Sequence, residues 1–193
     1  ETIREVEKLY SYLKKCGVKD SGRAGVHVHV NVNTLTVVQL LNLIAMWMVI
    51  EEAAVRWCGP SRKGNLFCLT SSEACGNLLI LVRAIAENDF TAFNNGDRYR
   101  YAALNLCSLW KYGSIEFRCL GTPTTHEPIV EWILFLDKLV SVAKSYDNPA
   151  SLILAMSAGG YKEFVKRVLP SPVVDSITDK ELREGVNNAQ MVA

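Results

Sequence analysis

Two short stretches of the chain alternate polar with apolar residues and carry the side chains best suited to chemistry. They are His27-Val28-His29-Val30-Asn31 and Ser114-Ile115-Glu116-Phe117-Arg118. Side chains alternate between the two faces of an extended strand, so each stretch predicts one polar and one apolar face. If both strands belong to one sheet, two imidazoles, a carboxylate and a guanidinium share a surface. Such a surface is suited to binding a metal ion and an anion.

The same alternation is also typical of any antiparallel strand that faces water. In that interpretation Glu116 and Arg118 form a solvated ion pair of little consequence. The chain has only three histidines, however, and two of them lie in the first stretch. Their placement favours a binding site over an ordinary solvated surface.

The mixture of charged side chains restricts the class of ligand that could bind. One histidine with one carboxylate and water is compatible with magnesium or manganese, whereas several imidazoles suit zinc or iron. Arg118, Arg100 and Arg62 add positive charge that a metal ion alone would resist. A guanidinium matches phosphate or carboxylate oxygens in bidentate fashion. A metal-bound nucleotide triphosphate, or an acyl phosphate made from it, satisfies both kinds of group.

Length and composition set the broad class. With 193 residues, 49% of them hydrophobic, the chain can bury one substantial core, and its net charge of +1 gives no global field for nucleic acid or an anionic membrane. Six cysteines without a CxxC pair predict reduced, mostly buried thiols and a cytoplasmic location. The apolar run from Val37 to Ile50 is shorter than the roughly 20 residues that span a bilayer, so it predicts a buried helix.

Helical and strand periods alternate along the chain. Helices are expected over residues 1–16, from a cap at Asn33 or Thr34 to about Trp57, over 72–87, and over 129–143 after a capping box at 124–127. A strand is expected over 99–106, with Arg98 and Arg100 on one face, and a polar tail over 171–193. Few strands among long helices predict an α+β fold with an incomplete antiparallel sheet.

Four short motifs, in this order, resemble the amidoligase family. They are Gly25-Val-His-Val-His-Val-Asn31, Pro60-Ser-Arg62, Arg98-Tyr-Arg-Tyr-Ala-Ala-Leu-Asn-Leu106, and Gly113-Ser-Ile-Glu-Phe-Arg118 with Gly121-Thr122. The family belongs to the glutamine synthetase and glutamate-cysteine ligase superfamily of carboxylate-amine ligases. The resemblance covers about residues 1–145 and implies a curved sheet packed with long helices, like the catalytic half of glutamine synthetase. Residues 1–170 would then be the C-terminal portion of that catalytic domain.

The resemblance implies an ATP-dependent reaction that joins a carboxylate to an amine through an acyl phosphate, with Mg²⁺ or Mn²⁺. The substrates would be an amino-acid or peptide amine and a carboxylate, with neither nucleic acid nor membrane as a partner. The implied roles are metal binding for His27 and Glu116, nucleotide binding for His29, Asn31 and Arg62, and catalysis for Arg118 and Arg100.

One feature of the superfamily is missing. Its members begin with strands that carry a Glu-x-Glu pair and further glutamates of the metal sites, whereas Glu5 and Glu7 here lie in a predicted helix and point in different directions. We therefore expect either the C-terminal part of a longer protein or a degenerate member, which would associate with the missing segment or with another chain. A non-catalytic binding or structural protein, and a zinc-dependent hydrolase, stay open as alternatives.

Overall fold

The computed structural model describes residues 1–18, 24–93 and 100–193. The helices and strands in these ranges are α1 (Thr2–Lys15), β1 (Gly25–Asn31), α2 (Val37–Trp57), α3 (Cys75–Ala86), β2 (Leu104–Asn105), α4 (Ser108–Tyr112), β3 (Ser114–Gly121), α5 (Glu127–Ala143), α6 (Pro149–Ala155), α7 (Tyr161–Val168), α8 (Ser171–Val174) and α9 (Asp179–Ala189). The four long helices expected from the sequence are confirmed, and the expected α+β class with them.

The three strands form one antiparallel sheet in the order β1-β3-β2. The central strand, β3, packs Ile115, Phe117 and Cys119 into the core through its apolar face. The strand expected over 99–106 is wrong in extent. Tyr99 lies outside the described residues, and β2 covers only Leu104–Asn105. Before β2 the chain forms a turn and pairs with Leu69 through a single bridge at Ala102.

Helix α2 is the centre of the core. Thr36 caps it, and its side chain accepts from the backbone N–H of Gln39 while Gln39 bonds back to the cap, so the cap predicted at Asn33 or Thr34 is wrong. The helix is 21 residues long and ends at Trp57, as predicted, and it is apolar enough to cross a membrane by length and composition. Most of it is buried inside the protein, with Trp47 fully enclosed, as expected of a core helix.

The capping box predicted at 124–127 does not form. Helix α5 begins at Glu127, and its N-cap residue, His126, makes no side-chain capping hydrogen bond. The proline at the second helical position, Pro128, needs no N–H partner there, so the helix can start without a side-chain cap.

The residues of the predicted polar tail fold back onto the core. Helices α8 and α9 follow Pro170, and α9 lies against α2. The contact is close at Gly185, where an added Cβ atom would overlap the carbonyl oxygen of Val49. The polar composition of this segment therefore reflects the outer face of a packed helix.

Five cysteines with described side chains are free thiols. Cys68 and Cys119 are buried, Cys58 and Cys107 are partly buried, and Cys16 is exposed. The expectation of mostly buried thiols thus holds for the two that lie beneath the sheet, and it is wrong for Cys16, which follows the solvent-facing helix α1.

Candidate functional site

The polar faces of β1 and β3 meet at Glu116. Its Oε1 atom lies 2.7 Å from Nδ1 of His27, 2.8 Å from Nη1 of Arg118 and 3.9 Å from Nε2 of His29. The pairing of His29 with Glu116 across the two strands places them side by side. The structure thus brings both histidines, Glu116 and Arg118 together on one surface, as the alternating pattern predicts; we call these four residues the Glu116 cluster.

The second carboxylate oxygen of Glu116 is held by side chains that sequence reasoning missed. Asn105 donates to Oε2 from Nδ2 at 2.6 Å, and the Ser108 hydroxyl lies 3.4 Å from it. Asn105 belongs to β2, opposite Glu116 in the sheet. A lone asparagine inside the apolar run 102–107 was the available signal, because a polar side chain in a buried strand needs a hydrogen-bond partner.

These contacts fix the charge of Glu116. Burial by itself raises the pKa of a carboxyl group, but hydrogen bonds from His27 and Asn105 and the positive charge of Arg118 outweigh it and lower the pKa of Glu116 to about 2. The carboxylate is therefore ionised at neutral pH, and it is the anionic centre of the cluster.

The cluster is buried on one side and open on the other. The side chains of Glu116 and Arg118 are 8% and 13% exposed, whereas those of His27 and His29 are 36% and 44% exposed. His29 is oriented by Ser114, whose hydroxyl lies 3.0 Å from Nδ1, and by an edge contact with the ring of Tyr112. A ligand would therefore approach through the imidazoles, above the buried carboxylate of Glu116 and the partly buried guanidinium of Arg118.

A bulge in β3 lies at the edge of this surface. Val26 pairs with Leu120 and Val28 pairs with Phe117, so the single residue between them on β1, His27, faces two residues on β3, Arg118 and Cys119. Bulges are common beside functional sites, where they change the direction of a side chain. Here the extra residue lets His27 and Arg118 reach the same carboxylate oxygen.

Arg62 is not part of the cluster surface. It lies in a short 3₁₀ turn, Pro60–Arg62, and its buried guanidinium donates to the backbone carbonyl groups of Cys119 and Arg118, both at 2.7 Å. The nucleotide-binding role expected from the resemblance stays a prediction for Arg62, and two of its donors are already bonded to the protein.

Arg100 and Asn31 also lie outside the cluster. Arg100 sits in a turn, with its guanidinium bonded to the Tyr101 hydroxyl and stacked over that ring. The side chain of Asn31 accepts from the backbone N–H of Asn33, which is a local turn at the end of β1. Arg98, expected beside Arg100, falls outside the described residues.

The described residues do not by themselves supply a complete metal site. In the described ranges, no group of three or more histidine, cysteine, aspartate or glutamate side chains could hold an ion. Both oxygens of Glu116 already accept hydrogen bonds from protein groups. A divalent ion here would take most of its ligands from a bound nucleotide and water, as Mg²⁺ commonly does.

One cavity in the described part of the chain lies away from the Glu116 cluster. It has a volume of about 700 Å³ and is formed by α1, Val18 and residues 122–127, and none of the four cluster residues lines it. His126 borders it with loose contacts to Glu7 and Glu127, at 3.9 and 3.8 Å. The Glu116 cluster is the stronger candidate for a functional site, because a buried carboxylate there is bonded to both a guanidinium and an imidazole.

Comparison with known proteins identifies the family. A family model described as "Putative amidoligase enzyme" matches residues 1–140, which include β1, the Pro60–Arg62 turn, β2 and β3. No curated protein and no solved structure matches the chain. The matched region contains every residue of the Glu116 cluster, and the chain belongs to the amidoligase family.

Proposed function

We propose that this protein is an ATP-dependent ligase that joins a carboxylate to an amine through an acyl phosphate. The observation that carries the proposal is the ionised Glu116 bonded to both His27 and Arg118, with a second imidazole beside it. Membership in a ligase family supports the reaction class. The exposed imidazoles beside a partly buried arginine support an anionic, phosphate-bearing substrate.

In the proposed reaction, an oxygen of the substrate carboxylate attacks the γ-phosphorus of ATP and ADP leaves. The amine nitrogen then attacks the acyl carbon, phosphate leaves with the oxygen of the broken bond, and the nitrogen loses a proton. Hydrogen-bond donors aimed at the transferred group are the main source of catalysis in such steps. Arg118 and His29 would supply them, while Glu116 holds Arg118 and His27 in place.

The metal ion is a separate part of the proposal. Because the chain offers one carboxylate in the cluster, we propose that Mg²⁺ or Mn²⁺ arrives bound to the nucleotide and that Glu116 and His27 contact it from the protein side. Bound metal would neutralise phosphate charge. The amine and carboxylate are expected to come from amino acids or peptides.

Calorimetric titration of the full chain with ATP and Mg²⁺ tests the nucleotide part. Arg118→Ala is expected to weaken binding at least about tenfold, because a hydrogen bond to a charged group is lost. Arg118→Lys, which keeps the charge but not the planar fork, guards against a folding defect in the alanine variant. Arg83→Ala on α3, a surface arginine that is 79% exposed, is the matched control and should bind like the wild type.

Release of ADP in the presence of pooled amino acids and small carboxylates tests the catalytic part. Turnover that disappears in Arg118→Lys would support the ligase. ATP binding without turnover would favour the alternative, a non-catalytic protein that keeps the ligase fold. The observation that favours this non-catalytic alternative is that the cluster contains a single carboxylate. No binding in either the wild type or the control would refute the proposed function.

A further inference from the structure

The bulge in β3 creates two backbone carbonyl groups that point in one direction. In a regular strand, successive carbonyl groups point to opposite edges, so neighbours along the chain do not share a partner on one side. The carbonyl oxygens of Arg118 and Cys119, the two residues that face His27, nevertheless both accept from the same side chain.

That side chain is Arg62. Its Nε donates to the carbonyl oxygen of Cys119 and its Nη2 to that of Arg118, each at 2.7 Å. Nε and Nη2 are adjacent donors of a rigid planar group, and their spacing fits two acceptors that lie side by side. The Arg62 fork therefore matches the bulged backbone and would not match a regular strand at the same place.

The surroundings of Arg62 hold it in this position. The residue is only 3% exposed, and its backbone N–H closes the 3₁₀ turn by donating to the carbonyl group of Gly59. On its other side lies Gly25, where an added Cβ atom would come within 3.1 Å of Nη2. A glycine at the start of β1 thus leaves the space that the guanidinium occupies.

The bulge in turn decides where the Arg118 side chain points. Arg118 donates from its backbone N–H to the carbonyl group of Ala103, and its guanidinium reaches Glu116 Oε1 at 2.8 Å. We propose that Arg62 is a positioning residue that locks the Arg118–Cys119 bulge and so aims Arg118 at the substrate phosphate. This inference rests on the proposed function for the identity of the ligand, and it reassigns Arg62 from ligand contact to support.

A double-mutant cycle with Arg62→Lys and Arg118→Lys tests the proposal, with ATP and Mg²⁺ as the probe. Lysine keeps the charge at position 62 but lacks the rigid planar fork, so it cannot reproduce the two parallel bonds that Nε and Nη2 make. We expect Arg62→Lys to weaken binding about tenfold in the wild-type background and less than about twofold when position 118 is already lysine. Arg56→Lys is the matched control, because Arg56 also donates to a backbone carbonyl, that of Ser176, but far from the cluster.

Two outcomes of the cycle would overturn the proposal. Equal weakening in both backgrounds would mean that Arg62 contacts the phosphate itself. A lower melting temperature with unchanged affinity for ATP would mean that Arg62 only stabilises the fold.

Hydrogen exchange gives a readout that is independent of nucleotide. The Arg118 amide is bonded to Ala103, so it should be protected in the wild type. Arg62→Lys is expected to speed its exchange about tenfold or more while the amides of α5 stay unchanged. If the wild type fails to bind ATP, the proposed function fails alone, and exchange still decides the positioning role. Unchanged protection at Arg118 would overturn the inference.

Discussion

Replacing Glu51 by glutamine is expected to change how the stability of the protein depends on pH. Glu51 lies in α2 and is 4% exposed. Its carboxyl group accepts from the indole N–H of Trp47 at 2.8 Å and from the backbone N–H of Ser71. Burial is the largest influence and raises the pKa of Glu51 to about 7, because these neutral donors only partly replace the lost water.

The sign and size of the effect follow from linkage. In the unfolded chain the carboxyl group ionises at its ordinary pKa of 4.5, so between pH 4.5 and 7 the folded state holds the extra proton. Stability is therefore fully present below pH 4.5 and falls as the pH rises to 7. The difference between 7 and 4.5, at about 1.4 kcal/mol per pH unit, corresponds to a loss of about 3 kcal/mol.

Urea unfolding at pH 5 and pH 8 measures most of this loss. The free energy of unfolding of the wild type should fall by about 2 to 3 kcal/mol more than that of Glu51→Gln between the two pH values. Glutamine places one N–H₂ group against a donor, which costs about 1 kcal/mol at both pH values and cancels in the comparison. Glu131→Gln, an exposed carboxylate on α5, is the control. Parallel pH profiles for wild type and Glu51→Gln would refute the reasoning.

Substitutions at two further positions test the packing and the cluster. Gly185→Ala would force the new methyl group against the carbonyl of Val49, so a loss of about 1 to 3 kcal/mol is expected in urea unfolding; a loss below about 0.5 kcal/mol would show that α9 is not packed on α2 as described. Asn105→Ala removes a donor to buried Glu116 and should lower the free energy of unfolding by about 2 kcal/mol. Asn105→Asp should lower it further at neutral pH, because it places a second negative charge beside Glu116. Equal losses in the two variants would contradict an ionised Glu116.

The cluster was predictable from the sequence as far as side-chain alternation reaches. Alternation assigns His27, His29, Glu116 and Arg118 to polar faces without any knowledge of the partner strand. It cannot specify register, and the bulge that lets His27 and Arg118 share an oxygen depends on a long-range pairing. The alternation of polar and apolar residues therefore predicted which side chains share a surface, and the bulge determines which of them contact the same oxygen of Glu116.

Residues whose role depends on distant backbone were beyond sequence reasoning. Arg62 was expected to bind the nucleotide because its motif resembles that of the amidoligase family, but its acceptors are the carbonyl groups of a strand 56 and 57 positions away. Arg100 was expected in a strand over 99–106, yet β2 begins only at Leu104. The sequence shows which donors a side chain carries, but the tertiary structure determines which acceptors those donors reach.

The two buried glutamates show why burial alone does not set the charge of a site. Glu51 lies on the apolar side of the sheet, where its partner Trp47 packs against Phe117 of β3. The indole N–H of Trp47 and the backbone N–H of Ser71, both neutral groups, donate to it. Glu116 lies on the opposite face of β3 and accepts hydrogen bonds from a guanidinium, an imidazole and an amide. Their pKa values consequently move in opposite directions, to about 7 and about 2. This contrast supports the polar face of β3, rather than the core beneath it, as the proposed ligand-binding surface.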